Sequence, residues 1–401
     1  MKLFYKKYPI ISQKILYSFI ILLVYLLGRD LPLYGVDMSR YVNTVDTVES
    51  LLTQTVSGGR NFTTLFSLGI SPYMMSMMLV QIVAALRSED AKKRTSPKTM
   101  SIITIIVTFL FAIGEAWYRT GSLEYRPDMT NVFAARILCV IEMVTGVMII
   151  MSLCNKNKKY GVGGQTVIII VNILDSIMRT LATHEFNELI VPVSILLVIC
   201  FFTIVLENAE FRIPVHRISI HNIYYDKNYI AYKLNPIGAM PIMFATVLFL
   251  VPQFTALALL LLFPENETLI YIQENLTLGK TLGTIVYIGI IFFLTISLSL
   301  IFLSPKDMAE NLQKGGDTIL SLRAGTQTRK YLTTRLLIIA TGSAAFMSLC
   351  VGVPMFLQVK GDIDASLMML PATAMALTSI SNNLMREMKS VRDFDAYTPF
   401  L

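Results

Sequence analysis

The chain has 401 residues, 54% of them hydrophobic and only 15% charged, with a mean hydropathy of +0.61. A water-soluble domain carries roughly 25% charged residues, so the composition excludes one and describes an integral membrane protein. The net charge of +7 would suit nucleic acid or an anionic lipid surface, but the basic residues sit in short loops between apolar runs, which favours the membrane.

A spanning helix needs about 20 mostly apolar residues. Ten runs are candidates, at 15–33, 63–86, 100–117, 132–154, 166–181, 189–206, 237–263, 281–303, 336–353 and 366–384. An even number places both termini on one side. The segments on that side (1–14, 87–98, 155–160, 207–235, 304–335 and 386–401) hold 25 Lys and Arg, against 6 on the other. Positive charge marks the cytoplasmic side, so both termini are expected there. The first run is followed by Gly28-Arg29-Asp30 and not by a signal-peptide cleavage site. Cys139, Cys154, Cys200 and Cys350 fall in or at the ends of apolar runs and read as small hydrophobes.

The longest exterior loop, 34–62, carries a half-amphipathic run at Val45, Val48, Leu51, Leu52 and Val56, too short to span. One apolar face at helical spacing fits either a re-entrant helix or one lying on the outer surface. It leads into Ser57-Gly58-Gly59-Arg60 and the second apolar run, which Gly69 and Pro72 interrupt and Ser67, Ser71, Ser76 and Gln81 dot with polar atoms. Broken backbone at membrane depth is tolerated where it is buried in protein or lines a watery cavity. This segment is either part of a path or a kinked helix inside a bundle. Met74 and Met78 share one of its faces, and Met is adaptable enough to seal around variable shapes. The seventh run repeats the irregularity at Asn235-Pro-Ile-Gly-Ala-Met-Pro-Ile-Met-Phe244. Interrupted segments at matching places in two halves point to a transport path between inverted repeats.

Two cytoplasmic loops exceed simple connections. The first, 207–235, contains Phe211-Arg-Ile-Pro-Val-His216 with partial alternation, which predicts a strand or hairpin. The second, 304–334, contains Asn311-Leu-Gln-Lys-Gly-Gly316 and Leu322-Arg-Ala-Gly-Thr-Gln-Thr328. Both read as docking surfaces or as solvated basic loops near anionic headgroups. Glu142 is the one clear acid at membrane depth; a structural, hydrogen-bonded role is favoured over a proton site, because coupling sites normally use several such groups. Asp175 and Arg179 read as a local i,i+4 pair. His184, His216 and His221 lie in loops, and no metal, nucleotide or nucleophile motif occurs. An enzyme is therefore not expected, nor a cofactor or metal. A secondary transporter with inverted repeats is the competing class, and it would need more ionisable groups at mid-membrane.

Four ordered motifs resemble the SecY family of protein-translocase channels. They are Phe66-Ser-Leu-Gly-Ile-Ser-Pro-Tyr73 with Gln81, Phe211-Arg-Ile-Pro-Val-His216, Lys233 to Ala245, and Ser304 to Gly316 followed by Leu322 to Thr328. The resemblance implies an all-α polytopic fold of ten helices in two pseudo-symmetric five-helix halves, 1–186 and 187–401, closed like a clamshell. It implies a plug at about 45–59 (Leu51, Leu52, Val56, Gly58, Gly59). It implies a pore constriction of Met74, Met78, Thr166, Ile170 and Met243, with Met375 near it, and a lateral gate involving Ser71, Pro72, Gln81, Asn235 and Pro241. Arg212, Arg217, Lys314, Arg323, Arg329 and Lys330 would face a SecA-type motor ATPase or a ribosome. Possible partners are SecE- or SecG-like and accessory Sec subunits, membrane lipid and an unfolded preprotein, but not nucleic acid. The sequence departs from the family at Gly161-Val-Gly-Gly-Gln165, at Arg323-Ala-Gly325 and in the Met- and Thr-bearing constriction. These departures look like the accessory Sec branch of Gram-positive bacteria, which exports serine-rich surface glycoproteins across the cytoplasmic membrane. A divergent housekeeping channel is the alternative.

Overall fold

In a computed structural model of the chain, residues 9–37, 63–86, 96–121, 123–126, 131–217, 228–263, 266–278, 280–319, 322, 325–359 and 365–397 are described. In chain order these form α1 (Pro9–Arg29), α2 (Ser71–Leu86), α3 (Pro97–Gly121), α4 (Val132–Tyr160), α5 (Thr166–Thr183) and α6 (Phe186–Asn208). Strands β1 (Glu210–Arg217) and β2 (Tyr229–Lys233) follow, then α7 (Met240–Leu248), α8 (Leu250–Leu262), α9 (Glu267–Asn275), α10 (Thr281–Leu303) and α11 (Pro305–Gly315). The chain continues through β3 (Asp317–Ile319), α12 (Thr326–Val359) and α13 (Ala365–Tyr397).

Eight stretches among the described residues are long and apolar enough to cross a membrane, so the chain is a multi-pass membrane protein. They are α1, α3, α4, α5, α6, the run Met240–Leu257 through α7 into α8, the run Thr281–Gly315 through α10 and α11, and α12. Helix α2 has 16 residues, and α13 is not among the eight; these two occupy the places of the second and tenth expected spans. In α6, Leu197, Phe201 and Phe202 are exposed, as a helix surface facing acyl chains allows.

The chain divides into two compact units, Met1–Leu189 with Ile380–Leu401, and Ile190–Ser379. In the first, α1 packs on α4 and α5, and α3 packs between α2 and α4. One end of this unit is closed by a core of Leu33, Val36, Leu68, Ala116, Cys139 and Met143. There the base of the long loop is pinned: Leu33 N–H donates to the Thr63 carbonyl at 2.8 Å and Leu65 N–H to that of Leu31 at 2.9 Å. The expected plug residues Leu51, Leu52, Val56, Gly58 and Gly59 lie outside the described residues. Close packing here relies on glycine. A Cβ on Gly146 would stand 2.2 Å from the Leu65 carbonyl oxygen, so α4 approaches the 63–70 turn with no room for a side chain.

In the second unit α10 packs along α12, and α7 and α11 pack on α10 and α12 respectively. The β1–β2 hairpin expected in the first long loop is present, antiparallel, with Arg212 opposite Ala231 and Ile213 opposite Ile230. Strand β3, from the second long loop, adds to the other edge of β1. The two loops thus form one sheet in the order β2-β1-β3.

Candidate polypeptide path and partner-binding platform

The interruptions expected in the second and seventh spans are helix starts. Gly69 takes φ +57° and Gly238 φ +68°, a left-handed backbone that other L-residues enter at a cost. Each glycine turns the chain, and a helix begins two residues later, at Ser71 and at Met240. Pro72 and Pro241 are then the second helical residues, where a missing N–H costs nothing because first-turn N–H groups have no partner in the helix. The same step, Gly-x-x-Pro-x-Met, occurs in both units as Gly69 to Met74 and Gly238 to Met243. The true discontinuity in the seventh span is at Phe249, between α7 and α8. Pro252 explains it, since it offers no N–H to the carbonyl of Leu248.

Each start is anchored by buried polar atoms. Asn235 Oδ1 accepts from Gly238 N–H at 3.2 Å and from Ser343 Oγ at 3.0 Å, and Ser379 Oγ accepts from Ala239 N–H at 2.9 Å. Ser71 Oγ donates to the Leu68 carbonyl at 3.2 Å and lies 3.3 Å from Glu115 Oε2, a carboxylate that also accepts from Arg119 at 2.6 Å. Met74, Met78 and Met243 are buried. Thr166 and Ile170 are half-buried and one turn apart on α5. Pro72 and Pro241 are buried and Gln81 is half-buried. Four of the five constriction candidates therefore stand on two helices of the first unit, and Met243 stands in the second, as does the buried Met375 on α13.

The basic platform belongs wholly to the second unit. Its sheet and α11 rest on Ile213, Tyr232, Ala309, Ile319, Leu332 and Leu336. Burial pushes the Tyr232 hydroxyl up to about 12, and it donates to the Met308 sulfur at 3.4 Å. Over this core Arg212 stands out, its guanidinium 4.5 Å from the centre of the Tyr229 ring and 3.3 Å from Glu210. Arg217 lies opposite Asp317 in the register of β1 with β3. Lys314, at the end of α11, is two-thirds exposed and 3.9 Å from Glu310. Arg329 and Lys330 are exposed in the first two turns of α12. Five of the six basic docking candidates thus gather on one substructure; Arg323 lies outside the described residues.

The SecY family model matches residues 64–380, which takes in α2, the platform and about the first half of α13. The chain belongs to the SecY family. An accessory Sec system protein translocase subunit SecY2 of Leuconostoc gelidum subsp. gasicomitatum is 27% identical, over 97% of this chain and 96% of that relative. A SecY2 subunit of Streptococcus agalactiae is 28% identical, over 97% of this chain and 96% of the relative. A solved structure of a protein-conducting channel shares the fold with a TM-score of 0.67 at 16% identity, covering 96% of this chain and 93% of that one.

Sequence reasoning missed several residues of this SecY-family chain. Arg29, at the end of α1, is buried and pairs with Asp175, which also accepts from Arg179 at 2.8 Å. The local pair is therefore part of a three-residue bridge between α1 and α5, which no periodicity along one helix reveals. Glu142 accepts from the backbone N–H of Tyr34 at 3.0 Å; its partner is the loop after α1. Glu115 and Arg119 lie on α3 one turn apart, and only the position of Ser71 beside them ties the pair to the start of α2.

Proposed function

We infer that this chain is the protein-conducting channel of an accessory Sec translocase in a bacterial cytoplasmic membrane, with both termini in the cytosol. The observation that carries the reading is the repeated Gly-x-x-Pro-x-Met helix start in the two units, within a chain whose SecY family match spans it from the first start to beyond the second. Half-helices that begin at membrane depth are the usual builders of a transport path between repeats. Met74, Met78, Thr166, Ile170 and Met243 would form the constriction, where flexible thioethers admit side chains of many shapes. The segment around 45–59 would be the plug. Ser71, Pro72, Gln81, Asn235 and Pro241 would border the lateral gate, through which an apolar signal helix could partition into lipid.

The platform of Arg212, Arg217, Lys314, Arg323, Arg329 and Lys330 would receive a SecA-type motor, which supplies the energy through ATP hydrolysis. SecE- or SecG-like and other accessory Sec subunits are further expected partners. The names of the relatives favour the accessory system, and serine-rich surface glycoproteins are the cargo expected of it. Deleting the chain from its host and following surface proteins separates the accessory from the housekeeping role. Serine-rich glycoproteins should vanish from the surface while other secreted proteins are still exported. General failure of export would reassign the chain to the housekeeping channel.

A further inference from the structure

We propose that the N-terminal end of α12 carries a binding site for an anionic phospholipid, at an edge of the platform where Lys330 is shared with the motor-docking candidates. An open groove of about 510 Å³ is lined by Leu322, Gln327, Lys330, Tyr331, Thr334 and Arg335. Its lining holds two cations and no acid. The Arg335 guanidinium lies 5.1 Å from the centre of the Tyr331 ring, which holds its plane beside the groove while leaving its edge free to bond an anion.

Depth and continuity identify the occupant. Helix α12 has 34 residues, about 51 Å at 1.5 Å per residue, whereas the hydrocarbon core takes about 30 Å. The apolar part of the helix begins at Leu336, so Lys330, Tyr331 and Arg335 fall in the headgroup layer. Below them Ile338, seven residues from Tyr331, is exposed, and further along the helix so are Leu349 and Val353. At about 3.6 residues per turn Tyr331, Thr334 and Ile338 share one face of α12, so the groove and this apolar surface follow one another along the helix. A phosphate bridging Lys330 and Arg335 would leave its acyl chains lying along α12, a fit for a lipid and not for a soluble anion. Basic pockets at the cytoplasmic ends of spanning helices suit such headgroups. This proposal uses the membrane orientation inferred above but neither the path nor the motor, and its test involves no translocation.

The test is native mass spectrometry of the full chain in detergent, titrated with dioctanoyl phosphatidylglycerol, dioctanoyl phosphatidylcholine or inorganic phosphate. Wild type should retain phosphatidylglycerol in preference to the other two. K330Q/R335Q should bind it roughly thirtyfold more weakly, the loss expected for two cations near a membrane surface. K306Q/K314Q on α11 should bind it as wild type does. L322D, which puts an acid in the groove wall without removing a cation, should weaken binding even if the double variant folds poorly. Unchanged retention in both K330Q/R335Q and L322D would overturn the site. So would an equal loss in K306Q/K314Q, which would mean general charge attraction, or equal retention of phosphate, which would mean an anion site without lipid. Loss of motor binding with phosphatidylglycerol retention intact would leave Lys330 and Arg335 as motor contacts alone and overturn the proposal.

Discussion

Arg29 shows how one buried cation can depend on one acid. It is 4% exposed and pairs with Asp175, itself about a third exposed. Removing the acid leaves a guanidinium without its counter-charge in a low-dielectric region, which is more damaging than removing both charges. D175N should destabilise the protein by about 3 kcal/mol, the low end for a buried pair because Asp175 is partly solvated. R29L/D175L should recover most of that in thermal melts in detergent; an equal loss in the double variant would remove the bridge from the account. Gly69 and Gly238 make a second residue-scale prediction. Alanine at either must hold a positive φ, at a cost of about 1–2 kcal/mol, and asparagine should cost less than alanine. Neither the bridge nor the left-handed turns can be read from composition. Arg29 and Asp175 are far apart in sequence, and a glycine announces freedom without saying which way the chain turns.

At the scale of elements, the apolar runs made the spans legible because lipid demands a long uniform stretch of backbone-satisfied helix. The hairpin was legible from its alternation. Strand β3 was not: Asp317-Thr318-Ile319 is too short to show a period, and only its pairing with Val215, His216 and Arg217 defines it. That strand makes the two long loops one body. Ile319 and Ile213 are almost fully buried in the core beneath, so I213A should cost about 2–4 kcal/mol, the range for losing a buried aliphatic side chain. The loss should appear as faster hydrogen exchange in β2, β3 and α11 together. Exchange rising in β2 alone would show that the loops fold independently. Tyr232 adds a pH signature. Its hydroxyl is raised from about 10 in an unfolded chain to about 12 in the fold, so the stability it contributes is complete below pH 10 and is lost as pH rises through about 12. Across neutral pH it contributes no slope, and Y232F should remove only the alkaline loss.

For the whole molecule, the candidate site was partly legible. Four separated motifs located the second span, both loops and the seventh span, and five of six basic docking residues came together on one sheet-and-helix platform. The interruptions expected within the two apolar runs, the seventh near its cytoplasmic end, become helix starts for one physical reason: glycine at positive φ followed by proline is a way to begin a helix, so the polar approach segment remains outside it. The 16-residue α2 follows from that late start. The division of the chain into two units, each entering a helix through Gly-x-x-Pro-x-Met, is the feature from which the path was inferred, and it places Met78 one turn beyond Met74 on α2.

Site-specific crosslinking at that residue is the most direct test of the path. A single cysteine would replace Met78 in a background lacking Cys139, Cys154, Cys200 and Cys350, with Met243→Cys and the exposed α1 position Leu23→Cys as parallel variants. A preprotein carrying one cysteine would be stalled in transit in vesicles supplied with motor and ATP. Disulfide crosslinks are expected at positions 78 and 243 and none at 23. Preprotein that stalls in transit yet crosslinks at neither 78 nor 243 would contradict a path through the two helix starts.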